Sequence, residues 1–295
     1  MAGFGVFRQL TLIICLAFPS IAHSIERVIG LPDMGKRDIR QVYFTRVMIA
    51  ALDNTNAEYG PYEIIKPNLT MSSQRMMAEL TTGDNLSVGI SSYKPTWEGQ
   101  TLIVPVPLIR GLASYRLFLA KTSQKEKLLQ AISFENLKTF SFGQGHGWST
   151  AKILEDHDFK VVYGANYQGL FKMLLANRFD LFMRSAHEII LEKPLFDERE
   201  DDIFVVDTFA LYTYLPTYFH VTKRQPALAK RLEDGLNIMY STGEIDSLLT
   251  EYFTEAIEII LQPGRKIYRL QNTNLKPGIY ERDQPYLIKL NMDNN

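Results

Sequence analysis

Two stretches of this chain combine residue types that can hold an anion. The first is Gly143-Gln144-Gly145-His146-Gly147-Trp148-Ser149-Thr150. It joins an apolar run, Thr139 to Phe142, to a helical pattern that starts at about Ser149. Glycines let backbone N–H groups approach a ligand closely. A helix N-terminus adds unpaired donors and a partial positive charge. Ser149 can equally cap that helix, since both roles use the same donors. The spacing is not GxGxxG, and no Lys-Ser/Thr follows the glycines, so the loop is no nucleotide motif. Trp148 can wall a site or pack in the core, and His146 can donate to an anion. The second stretch ends on Arg184, just after the short apolar run Asp180 to Met183. A guanidinium buried at a strand end suits a carboxylate or phosphate held bidentately. Its competing partner is Glu188, four residues on along the next helix.

Alternating strand and helix patterns must position these residues. Arg27 to Leu31, Tyr62 to Ile65 and Leu86 to Ile90 read as strands. Arg40 to Asn54 and Ser72/Ser73 to Thr82 read as helices, the second closed by Gly83. A second block repeats the alternation. Its strands are Arg116 to Ala120, Thr139 to Phe142, Lys160 to Tyr163, Asp180 to Met183 and Ile203 to Val206, and a helix covers Tyr167 to Asn177. Tyr218 to Lys223 gives one more strand. Two helices follow, Pro226 to Tyr240 and Glu244 to Phe253, with Gly243 breaking between them. From Gln262 on, prolines and weak periodicity predict an extended tail on the surface. Such alternation argues for sheets with parallel strands, covered by helices.

Composition narrows the function. Lys and Arg number 32 against 33 Asp and Glu, so nothing recommends nucleic acid as a partner. Residues 1–24 have the parts of a cleavable export signal: Arg8, the apolar run Leu10 to Phe18, and Ala22-His23-Ser24 before the cut. The run is shorter than the roughly 20 residues of a spanning helix, and Pro19 interrupts it. The single cysteine, Cys15, lies inside the signal and follows Ile14, where a lipid-modification site wants a small residue. The remaining chain therefore has no thiol for a disulfide or a cysteine metal site. Asn68-Leu69-Thr70 fits a glycosylation acceptor.

The order of these elements resembles the family-3 periplasmic solute-binding proteins, which capture amino acids and similar small polar solutes for ABC importers. The resemblance rests on Arg75 with Glu79, Leu80 and Gly83 (QRMMAELTTG), Phe134 with Leu137 (SFENLKTF), the loop 143–150, Tyr167 to Asp180 (YQGLFKMLLANRFD), and Tyr218 to Lys223 with Leu228, Leu232, Gly235 and Gly243. The GHGW and RFDLFMR stretches resemble a gammaproteobacterial group within it. The likeness implies a type II periplasmic-binding-protein fold: two α/β lobes, each a mostly parallel sheet flanked by helices, joined by two hinge strands. One lobe would hold residues 25–114 and 217–295, the other 115–216, with the ligand between them.

The same likeness implies site residues. Ser149 and Thr150 match the position that receives a ligand carboxylate. Ser91 and Ser92 match the polar contacts of the first lobe, with Tyr93 and Trp97 as an aromatic wall. Two departures stand out. Amino-acid binders carry an arginine a few residues after the serines, where this chain has Lys94-Pro95-Thr96-Trp97-Glu98. They place an Asp near Ser185, where this chain reads Met183-Arg184-Ser185. The expectation is a small polar or anionic, amino-acid-like solute; the departures put a standard α-amino acid in question and open the site to an anionic or non-amine solute, with Arg184 supplying charge from the second lobe. Arg75 reads as structural, Arg110 and Arg116 as weaker candidates near the first hinge, and Tyr212 and Tyr214 lie near the second. A monomer without cofactor or metal is expected, with a small solute and an inner-membrane ABC permease as partners. An enzyme on the same scaffold, a dehydratase or cell-wall lyase, would need a cleft carboxylate of shifted pKa. Asp33, Glu98 and Glu188 are the candidates, but no carboxylate pair stands out. A sensing module docking on a membrane receptor is the third reading.

Overall fold

A computed structural model describes residues 25–31, 39–67, 71–130, 133–197 and 202–290. The expected signal with Cys15, and also Asp33 and Asn68 to Thr70, lie outside these. In chain order the first elements are β1 (Glu26–Ile29), α1 (Ile39–Asn54), α2 (Asn56–Tyr59), β2 (Tyr62–Ile65), α3 (Ser73–Thr82), β3 (Val88–Ser92) and β4 (Leu102–Ile103). Then come β5 (Tyr115–Lys121), α4 (Lys125–Leu129), α5 (Phe134–Leu137), β6 (Ser141–Gly145), α6 (Ser149–Asp156), β7 (Lys160–Gly164), α7 (Tyr167–Leu175), β8 (Leu181–Ser185), α8 (Ala186–Phe196) and β9 (Ile203–Val205). The chain ends with β10 (Phe209–Tyr212), β11 (Thr217–Val221), α9 (Pro226–Thr242), α10 (Glu244–Ile260), β12 (Lys266–Arg269) and α11 (Ile279–Asp283).

The strands form two groups with one plan. In the first, β1 and β2 pair in parallel, and β11 runs antiparallel between β3 and β4. Ser87 joins the two pieces: its N–H donates to the Ile29 carbonyl at 2.9 Å and its hydroxyl accepts from the Ile29 N–H at 3.0 Å. In the second, β7, β6 and β8 are parallel neighbours, and β5 runs antiparallel between β8 and β9. Each group therefore runs second strand, first, third, reversed, fourth. The reversed strand comes from across the connection in both: β11 follows the second group and β5 precedes it. This doubled plan has no trace as a sequence repeat.

Local signals explain several boundaries. The Ser72 hydroxyl accepts from the Arg75 N–H to cap α3, and Gly83 ends it in the left-handed region. Pro226 occupies the first turn of α9. Gly235 sits where α9 crosses α1. A Cβ there would lie 2.1 Å from the Ala51 carbonyl oxygen, so only glycine permits this approach. One large apolar cluster joins both groups, running from Val47 and Leu236 through Leu117 and Phe182 to Phe253. A second, around Phe118, Phe142 and Leu154, fills the opposite face of the β5–β8 sheet.

Two readings are corrected. α10 continues past Phe253 to Ile260, and Phe253 itself is non-helical at φ −132°, ψ 21°, so the expected end is a kink. The tail is not simply a surface extension. β12 adds in parallel to β10, and Asp283 of α11 is wholly buried. Strands β3, β6 and β8 also end two or three residues later than their apolar runs predict. Their partners carry the ladder on: Ser91 and Ser92 pair with Tyr218 and Thr217, and Arg184 and Ser185 pair with Leu117 and Arg116. The polar candidates thus stand on strand ends rather than in loops.

Candidate functional site

The ends of β3 and β6 bring two expected residues together across the strand groups. The hydroxyls of Ser92 and Ser149 lie 3.5 Å apart. Ser149 opens α6, and Trp148 precedes it as the N-cap without a side-chain hydrogen bond. Ser149 is therefore the first helical residue rather than the cap. An eight-residue helix without a side-chain cap presents its first-turn N–H groups where the two strand groups meet. The Ser149 carbonyl accepts from the Asn274 amide at 3.1 Å, so the tail reaches the same place.

The glycines of the loop work differently from expectation. A Cβ on Gly143 would lie 2.2 Å from the Phe179 ring, and one on Gly145 would lie 2.5 Å from the Trp148 ring. They make room for the chain's own aromatics. Gly147 turns the chain at φ +74°. Thr150 is buried and donates to Gln144 Oε1 at 2.6 Å, leaving the buried Gln144 Nε2 with no partner among the described residues. His146 is exposed and stacks on Tyr163 at 4.6 Å.

Arg184 stands at the end of β8 and meets protein carboxylates. Its Nε and Nη2 donate to the two oxygens of Glu192 at 2.6 and 2.5 Å, a bidentate pair. Nη2 also lies 2.9 Å from Glu188, the partner four residues on. The guanidinium sits 4.9 Å from the Trp148 ring, which forms one wall of this knot. Ser185 is fully buried. Its hydroxyl contacts His187 Nδ1 at 2.8 Å, and its N–H donates to Glu188 at 2.9 Å at the start of α8. Arg40 of α1 reaches Glu188 at 3.0 Å and Arg116 of β5 reaches it at 3.6 Å.

Electrostatics follow from this packing. Burial pushes the Glu188 carboxyl up, but Arg184, Arg116 and Arg40 outweigh it and hold the pKa well below the usual carboxylate range. Burial lowers His187 to about 3 against the pull of Glu188, so the imidazole is neutral at pH 7. Burial also lowers Arg116 to about 10, still charged at neutral pH. Three arginines, Arg40, Arg116 and Arg184, surround Glu188 here. Arg116 Nη1 donates to the Ala113 carbonyl at 3.1 Å, while its buried Nε has no partner among the described residues. Glu192 carries no local sequence signal as a partner of Arg184, because it lies eight residues on, in the second turn of α8.

The remaining candidates lie apart. Ser91 is buried on the alternate face of β3 from Ser92. Trp97 packs with Met76, Leu80 and Leu86, edge-on to His220 at 5.0 Å. Tyr93 is buried, and its N–H donates to the Pro216 carbonyl. Trp97 is thus core beneath α3, and Trp148 is the ring beside the charged group.

No family model matches the chain, and no curated protein matches it. Solved structures do match its fold. One is a Salmonella typhimurium periplasmic binding protein with high arginine specificity: 16% identity, 72% of this chain, 88% of that one, TM-score 0.52. Another is the amino acid ABC transporter substrate-binding protein AbpA from Streptococcus pneumoniae bound to L-arginine: 15% identity, 71% and 84% covered, TM-score 0.50. A third is the Bordetella pertussis BvgS VFT2 domain: 13% identity, 77% and 93% covered, TM-score 0.56. At such identities the likeness establishes architecture. The chain has the α/β fold of the two-lobed type II periplasmic binding proteins, with mixed sheets flanked by helices.

Proposed function

We propose that the protein is a periplasmic solute-binding protein that closes its two lobes on a small polar or anionic solute and delivers it to an ABC importer. The observation that carries this reading is the meeting of Ser92 and Ser149, one from each strand group, at the N-terminus of α6. In an α/β sheet, ligands bind outside the carboxyl ends of the strands. The α6 N–H groups and the Ser149 hydroxyl would take a carboxylate or similar anion, and Ser92 would close on it from the other lobe. Arg116 supplies the long-range charge: its guanidinium lies 3.6 Å from Glu188 and its buried Nε has no partner among the described residues. Arg184 acts by positioning: clamped by Glu192, it holds the Trp148 ring beside the site. An affinity in the micromolar range corresponds to about 8 kcal/mol, within reach of a few charge-assisted hydrogen bonds.

The absence of an Asp at Ser185 favours an anion over a zwitterionic amino acid, because no carboxylate there awaits an ammonium. Glu188 is a poor general acid or base at neutral pH, since three arginines keep it ionised, which weighs against the enzyme reading. The test is thermal unfolding of the purified protein against amino acids, dicarboxylates, polyamines and sugars. A solute at 100 times its Kd stabilises by about 2.7 kcal/mol. A dicarboxylate or other anion is expected to raise the Tm, and replacing Ser149 with Ala to reduce the effect. No shift with any class, or a polyamine as the best ligand, overturns the proposal.

A further inference from the structure

A cavity of about 560 Å3 lies beside the second hinge, and none of the cleft residues lines it. That volume falls within the roughly 300–1,000 Å3 of small-molecule sites. One wall is Tyr212 and Tyr214. The other is the tail from Arg269 to Glu281. Both walls are pinned. Tyr212 of β10 stands opposite Arg269 of β12, and the Leu270 N–H donates to the Tyr212 carbonyl at 2.8 Å. The Asn272 amide donates to the Tyr214 carbonyl at 2.7 Å, and its oxygen accepts from the Asn274 N–H at 2.9 Å. The Tyr214 hydroxyl donates to the buried Asp283 at 2.6 Å.

The lining has a definite chemistry. The Tyr214 and Tyr280 rings meet edge to face at 5.1 Å, and the Arg269 guanidinium lies 4.7 Å from the Tyr212 ring. Stacking occupies a face of the guanidinium and leaves its in-plane N–H donors available. Arg269 has no carboxylate at ion-pair distance among the described residues. The other charged residues of the lining are Lys276, which is held by Glu98, and Glu281, exposed on the rim. Tyrosine walls with one unmatched guanidinium suit a flat ring that carries a single carboxylate.

We propose that this cavity is a second ligand site, separate from the interlobe cleft, for a small aromatic carboxylate. The ring lies against Tyr214 and Tyr280, and the carboxylate pairs with Arg269. The wall that receives it also carries Asn274, bonded to Ser149, and Lys276, bonded to Glu98 beyond β3. A ligand here braces a strap that touches both strand groups.

Isothermal titration of the purified protein with benzoate and with benzylamine tests this. Benzoate binds and benzylammonium does not. Arg269→Gln weakens benzoate roughly 10- to 100-fold, the loss of one bidentate charged contact. Arg269 is exposed, so the variant keeps its fold, and Tyr280→Leu provides a second lesion that also weakens benzoate. Ser149→Ala leaves benzoate binding unchanged, which separates this site from the proposed solute cleft. The proposal is overturned if benzoate fails to bind, if Arg269→Gln binds it as well as the parent, if benzylammonium binds in its place, or if Ser149→Ala abolishes binding.

Discussion

The neighbouring strands β6 and β8 end side by side, and their ends behave in opposite ways. At the end of β8 an arginine is clamped by two carboxylates, and a histidine beside them is buried and neutral. At the end of β6 a serine hydroxyl faces only another serine hydroxyl at 3.5 Å. By residue type alone, Arg184 is the stronger anchor for an anion. By partner it is the weaker, because Glu192 takes its Nε and Nη2 donors and Glu188 lies against Nη2 as well. A group can bind a ligand only with hydrogen-bonding capacity that the protein has left over. That capacity sits with Ser92, Ser149, the first turn of α6 and Arg116.

The sharpest way to break this comparison is to cut the clamp. Glu192→Ala leaves a buried guanidinium short of its bidentate partner and is expected to destabilise the protein by about 3–5 kcal/mol in urea unfolding. Replacing both partners, Arg184→Met with Glu192→Leu, should restore most of that loss. If the single and double variants unfold alike, the pair is not a coupled unit.

Acid probes the same end by a different route. Burial lowers His187 to about 3 and His220 to about 4, both below the ordinary histidine value. A depressed pKa means that the unfolded chain binds the proton more readily. Stability is therefore complete above about pH 6.5 and falls as pH drops toward the folded values, by about 1.4 kcal/mol per unit for each fully engaged histidine. His187→Gln should remove about half of the slope between pH 6 and 5, measured by denaturant titration. An unchanged slope would place the proton uptake elsewhere.

Asp283 tests how the tail is held. It accepts from the hydroxyls of both Tyr214 and Tyr218. Asp283→Leu should lower stability by about 1–3 kcal/mol and expose the 270–290 segment to proteolysis. At the β6 end the expected effects on stability are the smallest. Ser149→Ala should change unfolding by no more than about 0.5 kcal/mol while weakening solute binding roughly 2- to 12-fold, as the loss of one hydrogen bond.

Much of the framework is legible in local signals. Ser72, Gly83, Pro226 and Gly243 mark helix ends because capping and φ preference act within a few residues. Strand ends are less legible. Ser91, Ser92, Arg184 and Ser185 belong to strands only because β11 and β5, distant in sequence, continue to pair with them. β12 is invisible for the same reason: its four residues show no pattern and pair with β10, more than fifty residues away. The start of α6 at Ser149 is legible because helix N-termini and glycine turns leave a sequence trace. The pairing of Arg184 is half visible: Glu188 at four residues is a standard helix spacing, whereas Glu192 reaches it only through the geometry of the β8–α8 turn.

The most direct test of the account is the solute-induced shift in Tm of the parent protein against the Ser92→Ala, Ser149→Ala double variant, using the anion that stabilises the parent best. The account predicts that the double variant keeps its own unfolding midpoint and loses most of the solute shift. A double variant that retains the full shift would contradict it, and would move the solute site away from the meeting point of β3 and α6.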